Sequence, residues 1–285
     1  MTTYMITGAT GGYGSQVLDY LSGQVPTENL FALVRSEEKG KDLAEKGITI
    51  RVGDYSKPDS LEQAFRGIDK LLFVSGIPGN RQEEHKNVIE AAKKAGVSFI
   101  AYTSLAGIDD VAKDFALGDD HRFTEQLLKE SGLAYTSLRN NWYLENELPL
   151  LSQALTSHEL SFATSNITKV AWVSRKDLAE AGSKVLLADT PKTILELSGH
   201  NRTYSDLAQA LSQMTDTTIP AKQKTIAQVA DILAAAGLPQ EAAQELAGLQ
   251  ESLSAGFLES KHSDLEETLG RTHTPLIDNL SELLN

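Results

Sequence analysis

Residues 3–14 read Thr3-Tyr4-Met5-Ile6-Thr7-Gly8-Ala9-Thr10-Gly11-Gly12-Tyr13-Gly14, and the expected architecture follows from them. Residues 3–7 predict a short β-strand, and Val17, Leu18 and Leu21 predict an amphipathic helix directly after the glycines. A strand, a glycine-rich turn and a helix N-terminus direct free backbone N–H groups and the positive end of the helix dipole at one point. The spacing G-x-x-G-x-x-G is typical of turns that bind the pyrophosphate of a dinucleotide. The alternative is a turn without a ligand, which would bear the entropic cost of its glycines for no gain.

Strands and helices alternate through the first half of the chain. Continuous apolar runs such as residues 30–34 are typical of parallel strands that are covered on both faces. The predicted strands are residues 3–7, 30–34, 48–52, 70–74, 97–103 and 135–138, and helical patterns separate them. Strands joined through helices form right-handed crossovers, so the sequence predicts an α/β fold with a Rossmann-type, doubly wound parallel sheet.

The alternation becomes less regular in the second half. We predict a short strand pair within residues 161–173, a further strand over residues 193–197, and Ala-rich helices over residues 226–236 and 239–255. We therefore expect two domains: a Rossmann domain, residues 1–150, which carries the glycine-rich turn and would bind the dinucleotide, and a smaller, mostly helical lobe, residues 151–285, which would bind the substrate. Some segments of the second part are expected to return to the sheet.

Composition narrows the classes of protein. The chain has 285 residues, of which 41% are hydrophobic and 23% charged, as in globular proteins. Its net charge of −13 argues against nucleic-acid partners, and the lack of a long apolar run argues against a membrane. With no cysteine, disulfides and thiolate chemistry are excluded. The N-terminus lacks the charged region of a signal peptide, so the expected location is cytoplasmic.

The end of the second predicted strand indicates which dinucleotide is bound. An NAD-binding fold places an acidic residue there, whereas this chain has Arg35, whose guanidinium suits the 2′-phosphate of NADP(H). The alternative is a solvated arginine at a strand end. Asp54 and Tyr55 end the third strand and suit the adenine, and Ser75 and Gly76 end the fourth strand beside the expected adenosine ribose.

Six segments carry a further resemblance: Thr7–Gly14, Leu33-Val34-Arg35, Gly53-Asp54-Tyr55, Lys70–Gly76, Phe99–Ser104 and Leu138-Arg139-Asn140-Asn141-Trp142-Tyr143. Together they resemble the NmrA-like atypical short-chain dehydrogenases, and within that family the bacterial NAD(P)H-dependent quinone oxidoreductases of type 2, followed by the triphenylmethane reductases. The resemblance covers essentially the whole chain. It implies that NADP(H) is bound by the turn from Gly8 to Gly14, with Arg35 on the 2′-phosphate.

The same resemblance implies two further groups of site residues. Ser75, Gly76, Tyr102, Thr103 and Ser104 would line the cofactor cleft. Asn140, Asn141, Trp142 and Tyr143 would face the nicotinamide and the acceptor.

The tyrosine–lysine pair with which short-chain dehydrogenases protonate a carbonyl group is missing. None of the eight tyrosines is followed by a lysine four residues later. A quinone needs no such pair, because its reduced product is aromatic and protons can come from water, so that correct placement supplies most of the rate. The sequence therefore favours hydride transfer from NADPH to a quinone-like small molecule, without flavin or metal.

The sequence offers several candidate catalytic residues, and each has an alternative structural role. Trp142 and Tyr143 are candidates to stack on a flat ring, with core packing as the alternative. Asn140 or Asn141 could donate to a quinone oxygen or serve as turn residues. His121 is a candidate proton relay, and otherwise an ordinary residue near a helix N-terminus.

Two other functions also stay open. One is a non-catalytic NADP(H)-binding redox sensor of the NmrA type, and the other is a reductase of another planar acceptor such as a triphenylmethane dye. The six histidines lack metal-ligand spacing, so no metal site is predicted. The sequence does not indicate the oligomeric state, and a homodimer is one of the alternatives.

Overall fold

The computed structural model of the protein describes residues 1–110 and 116–284. The chain forms two compact units. The first unit comprises Met1–Asn140, Arg175–Leu197 and Asp264–Arg271. The second unit comprises Asn141–Ser174, Ser198–Ser263 and the residues from Thr272 onward.

A seven-stranded parallel sheet forms the centre of the first unit. With strands numbered along the chain, it contains β1 (Tyr4–Ile6), β2 (Leu30–Val34), β3 (Thr49–Val52), β4 (Lys70–Phe73), β5 (Phe99–Leu105), β6 (Ala134–Asn140) and β8 (Ile194–Leu197). Their order is β3-β2-β1-β4-β5-β6-β8, so the chain reverses its direction of travel across the sheet between β1 and β4. This arrangement confirms the predicted doubly wound sheet, and ligands of such sheets bind at the carboxyl ends of the strands near the reversal.

Helices flank this sheet. They are α1 (Gly12–Ser22), α2 (Lys41–Glu45), α3 (Pro58–Phe65), α4 (Arg81–Ala95), α5 (Ala116–Ser131), α7 (Arg175–Leu187) and α11 (Leu265–Leu269). Side chains of α3, α4, α5 and the strands form one buried apolar cluster, which includes Phe65, Phe73, Val88, Ile100 and Leu128. Tyr55, one of the predicted site residues, packs against this cluster.

The second unit is mostly helical. Its helices are α6 (Leu148–Ser157), α8 (Tyr204–Thr215), α9 (Ile226–Ala235), α10 (Gln240–Leu253) and α12 (Leu276–Leu284). Two of them begin with a capping box, in which the side chain of Thr203 or Thr225 and that of the residue three positions later each accept from the other's backbone N–H. No helix in the described part of the chain is long and apolar enough to cross a membrane.

The predicted strand pair within residues 161–173 is wrong. The strand β7 (Leu160–Phe162) pairs in parallel with β9 (Ala221–Gln223), and Val170 and Val173 form only isolated bridges. Parallel strands require a long connection, so the partner of β7 lies far along the chain where a local pattern gives no sign of it.

Candidate functional site

The glycine-rich turn connects β1 to α1. Gly8 lies in the left-handed region with φ +57°, and the N–H of Gly11 donates to the carbonyl of Gly8 at 2.9 Å. Helix α1 begins at Gly12 with no side-chain cap from the described residues and no acidic residue in its first turn. Its first N–H groups therefore point to a position that suits phosphate oxygens.

Three glycines of the turn have no space for a side chain. A Cβ atom at Gly14 would overlap the carbonyl group of Gly8, and one at Gly11 would lie 3.2 Å from the same oxygen. A Cβ atom at Gly8 would lie 3.1 Å from Cβ of Val74. This cradle fits the close approach of a pyrophosphate, which only glycine permits.

The other residues of the turn differ in where their side chains lie. Thr10 is exposed and Ala9 is buried. The ring of Tyr13 is also buried, and its hydroxyl donates to the carbonyl of Leu178 in α7 at 3.1 Å. The side chain of Tyr13 therefore packs inside the first unit, and its place in the predicted site depends on its backbone.

Arg35 and Asp54 lie just beyond the ends of the neighbouring strands β2 and β3. The side chain of Arg35 is exposed. The carboxylate of Asp54 accepts from the N–H and hydroxyl of Ser56, at 3.0 and 2.8 Å. These two hydrogen bonds lower the pKa of Asp54, with smaller contributions from the positive charges of Lys57 and Arg35. Of the two residues, Arg35 has the charge that suits a 2′-phosphate.

Tyr55 links three strand ends through its hydroxyl. The hydroxyl oxygen lies 2.5 Å from Oγ1 of Thr7 and 2.8 Å from the carbonyl oxygen of Val74. Oγ1 of Thr7 also accepts from the N–H of Val74 at 2.9 Å. Burial raises the pKa of Tyr55, so the hydroxyl keeps its proton. Thr7 was absent from the predicted site, although its position at the last residue before the glycines was a signal for this role.

The peptide of Gly76 is held by two side chains of α4. Its N–H donates to Nε2 of His85 at 2.9 Å, and its carbonyl accepts from Nε of Arg81 at 2.9 Å. The neighbouring N–H of Ser75 donates to Oγ1 of Thr103 at 2.8 Å. Two predicted site residues, Ser75 and Gly76, are therefore fixed by α4 and β5.

His85 is fully buried and neutral. Burial, and less strongly the Arg81 guanidinium, lower the pKa of His85 to about 3. Because Nε2 accepts a hydrogen bond from the N–H of Gly76, Nδ1 carries the ring proton and donates to Oγ1 of Thr124 at 2.7 Å. No local sequence pattern indicated that this histidine positions Gly76.

Tyr102 and His121 form a second buried pair. The hydroxyl of Tyr102 lies 2.7 Å from Nδ1 of His121, and both side chains are almost inaccessible. Burial raises the pKa of Tyr102, whereas burial and the charge of Arg81 lower the pKa of His121 to about 3. The tyrosine therefore donates and the neutral imidazole accepts.

Ser104 belongs to an ionic cluster at the ends of β5, β6 and β8. Its hydroxyl donates to Oε1 of Glu125 at 2.6 Å. Arg139 binds the same carboxylate through two nitrogens, at 3.0 and 2.8 Å, and its Nη1 reaches Asp109 and Glu196 at 2.7 and 2.9 Å. These bonds hold Arg139 in place, and Asn140, the last residue of β6, directly follows it.

Asn141 has a structural role within the second unit. Its Nδ2 donates to Oγ of Ser198 at 3.0 Å and to the carbonyl of Leu258 at 3.3 Å, and its Oδ1 accepts from the N–H of Trp142 at 2.7 Å. Its side chain is 3% exposed. The amide predicted to donate to an acceptor is therefore already committed to protein partners.

Trp142 is fixed by a buried carboxylate that sequence reasoning missed. Oε1 of Glu147 accepts from the indole N–H of Trp142 at 3.1 Å, from that of Trp172 at 3.2 Å and from the hydroxyl of Tyr204 at 3.0 Å. Burial raises the pKa of Glu147, while these hydrogen bonds oppose the rise. The rings of Trp142 and Tyr143 are only partly buried.

The predicted cofactor residues are brought together by the sheet. The turn after β1, Arg35 after β2, Asp54 and Tyr55 after β3, Ser75 and Gly76 after β4, and Thr103, Ser104 and Asn140 at the ends of β5 and β6 all lie at carboxyl ends of adjacent parallel strands. Asn141, Trp142 and Tyr143 belong to the second unit.

Comparison with known proteins extends these observations. A family model described as NAD(P)H-binding matches residues 8–189. The chain is 37% identical over 283 residues to quinone oxidoreductase 2 of Escherichia coli, covering 98% of each sequence. The crystal structure of the Escherichia coli NADPH-dependent quinone oxidoreductase in complex with NADPH superposes with a TM-score of 0.91 at 36% identity, covering 99% of this chain and 100% of that one. Triphenylmethane reductase from Citrobacter sp. superposes with a TM-score of 0.93 at 32% identity, covering 99% of both chains.

Proposed function

The chain belongs to the NAD(P)H-binding family, and we propose on that basis that it is an NADPH-dependent oxidoreductase that reduces a quinone-like small molecule. The proposal depends mainly on the turn between β1 and α1. Side chains at its glycines would contact or overlap neighbouring atoms, and the first N–H groups of α1 have no side-chain cap from the described residues, so that they could bind phosphate oxygens. That turn lies in a chain that aligns along its whole length with a quinone oxidoreductase.

The residues at the strand ends would hold the cofactor. Backbone N–H groups of the turn Gly8–Gly14 would bind the pyrophosphate, and Arg35 would bind the 2′-phosphate. The remaining residues proposed to contact or support the cofactor are Asp54, Tyr55, Ser75, Gly76, Tyr102, Thr103 and Ser104. The hydrogen bonds of Gly76 to His85 and Arg81 keep its loop in one position.

Reduction then depends mainly on placement. When bound, NADPH supplies the hydride that the quinone accepts. We propose that Asn140, Trp142 and Tyr143 position the acceptor. Asn141 would support them by accepting from the backbone N–H of Trp142, and Glu147 would fix the Trp142 ring. His121 is buried and bonded to Tyr102, so water is the proposed source of protons.

The proposed partners and location follow from the surface charge and the fold. A net charge of −13 disfavours nucleic acid, so a small molecule is the proposed partner. We propose that the protein is cytoplasmic and does not bind membranes. Its oligomeric state could be that of a homodimer.

The test is oxidation of NADPH by the purified protein, followed by absorbance, with a benzoquinone, a triphenylmethane dye and a simple ketone as acceptors. We expect turnover with the quinone and none with the ketone. Turnover with the dye alone would indicate a different planar acceptor. Tight NADPH binding without turnover of any acceptor would contradict the proposal and favour a redox sensor.

A further inference from the structure

The glycine-rich turn has no cation of its own. Residues 7–16 contain neither lysine nor arginine, and α1 has no basic residue in its last turn. A pyrophosphate carries two negative charges, whereas a helix N-terminus offers about half a positive charge. A complementary cation would therefore have to come from elsewhere in the chain.

Arg175, the first residue of α7, lies across this turn. A Cβ atom placed on Gly12 would be 3.3 Å from Nη1 of Arg175 and 3.5 Å from its Cδ. Both the aliphatic stem and the guanidinium of Arg175 therefore lie beside Gly12, the first residue of α1. It is 163 positions from Gly12 along the chain, and no local pattern indicated the contact.

The packing of α7 on α1 fixes this position. The hydroxyl of Tyr13 donates to the carbonyl of Leu178 at 3.1 Å, one turn after Arg175. A side chain at Gly182 would overlap the same hydroxyl, so the two helices approach closely only because this residue is glycine. The start of α7, from which the Arg175 side chain extends, is consequently held beside the turn by the packing of the two helices.

We propose that Arg175 is a further cofactor-binding residue, whose guanidinium binds the pyrophosphate of NADP(H) together with the N–H groups of α1. This inference rests on the proposed function. A guanidinium presents a planar set of donors that matches phosphate oxygens, and such charge-assisted hydrogen bonds are stronger than neutral ones.

Arg35 and Arg175 would bind different phosphate groups of the cofactor. Arg35 follows β2 and is assigned to the 2′-phosphate, which only NADP(H) carries. Arg175 lies at the turn and is assigned to the pyrophosphate, which NADPH and NADH share. Loss of Arg35 should weaken NADPH binding alone, whereas loss of Arg175 should weaken the binding of both cofactors.

The experiment is titration calorimetry of the full chain with NADPH and with NADH. The variant Arg175→Met keeps an aliphatic stem over Gly12 and removes the charge, and Arg175→Lys keeps the charge without the planar donors. Lys176→Ala is the matched control, because it removes an exposed positive charge one position away. Arg35→Ala is the contrasting variant.

We expect Arg175→Met to raise the Kd of both cofactors by the same factor, about ten- to a hundredfold, with Arg175→Lys intermediate and Lys176→Ala unchanged. An unchanged Kd in Arg175→Met, with an unfolding midpoint like that of the wild type, would mean that the arginine only packs on the turn. A loss confined to NADPH would also overturn the assignment to the pyrophosphate. If the wild-type protein bound neither cofactor, the proposed function itself would fail.

Discussion

The turn Gly8–Gly14 and the segment Asn141–Glu147 are built in opposite ways. The shape of the turn depends on its backbone: the N–H of Gly11 donates to the carbonyl of Gly8, and the space for a ligand exists because the glycines have no side chains. The segment is shaped by side chains, with Asn141 bonded to Ser198 and Leu258, and Trp142 bonded to Glu147. A ligand site made from backbone is therefore sensitive to any added atom, whereas one made from side chains is sensitive to lost donors and acceptors.

The largest effect that would test this contrast is expected from Gly14→Ala. The added Cβ atom would overlap the carbonyl group of Gly8, so the turn must shift. We expect the Kd for NADPH to rise by at least about a hundredfold, and the free energy of unfolding to fall by about 1–3 kcal/mol. Calorimetry and urea unfolding measure the two changes.

Gly23→Ala is the control for Gly14→Ala, because it adds the same methyl group at the other end of α1, where the nearest atom would be 3.6 Å away. If Gly14→Ala bound NADPH like the wild type, the turn would not depend on the absence of side chains.

His85→Gln tests the place where the first unit uses a side chain to hold a loop. The pKa of His85 is 6.5 when unfolded and about 3 when folded. Between these values the unfolded state binds the extra proton, so the stability that the neutral His85 contributes is complete above pH 6.5 and is lost as the pH falls, by about 1.4 kcal/mol per pH unit. Glutamine does not titrate, so its variant should lose stability less steeply between about pH 6 and about pH 4.

Urea unfolding of wild-type and His85→Gln protein over this pH range measures the difference, and His262→Gln, at an exposed histidine, controls for loss of a histidine as such. Parallel pH profiles for His85→Gln and the wild type would show that His85 does not stay neutral in the folded protein.

The smallest effect on ligand binding is expected from Trp142→Phe, which removes one hydrogen-bond donor to Glu147 and keeps an aromatic ring. Trp172→Phe is the matched change, because Trp172 donates to the same oxygen. Each variant should lose about 1–3 kcal/mol of stability. Only Trp142→Phe should raise the KM for a quinone, by about two- to fivefold, with the Kd for NADPH unchanged. Equal KM values in the two variants would assign Trp142 to packing.

The sequence predicted the sheet and the glycine turn because their signals lie within a few residues of one another. Thr7 to Gly14 contain all the information that the turn requires. The hydrogen bonds of Tyr55 to Thr7 and of Tyr204 to Glu147 join residues 48 and 57 positions apart, and no local pattern reveals such partners. The same reason explains the wrong strand pair, since β7 finds its partner in β9.

The roles of Tyr102 and His121 illustrate a different limit. Tyr102 lies on the predicted fifth strand and His121 on the predicted helix, yet their polar atoms bond to each other in a buried pair. A sequence pattern gives the position of a residue in a fold, but not which way its side chain turns. Their contributions to the site therefore stay predictions.

The first unit is completed by the last part of the chain. Lys192, just before β8, pairs with Asp264 and Glu267, and Arg271 pairs with the buried Asp177 of α7 at 2.8 Å. During synthesis on the ribosome, these contacts form only after residues 264–271 have emerged, later than every strand of the sheet. Until β8 is made, β6 is an edge strand of the nascent sheet, and exposed edge strands can pair with other chains.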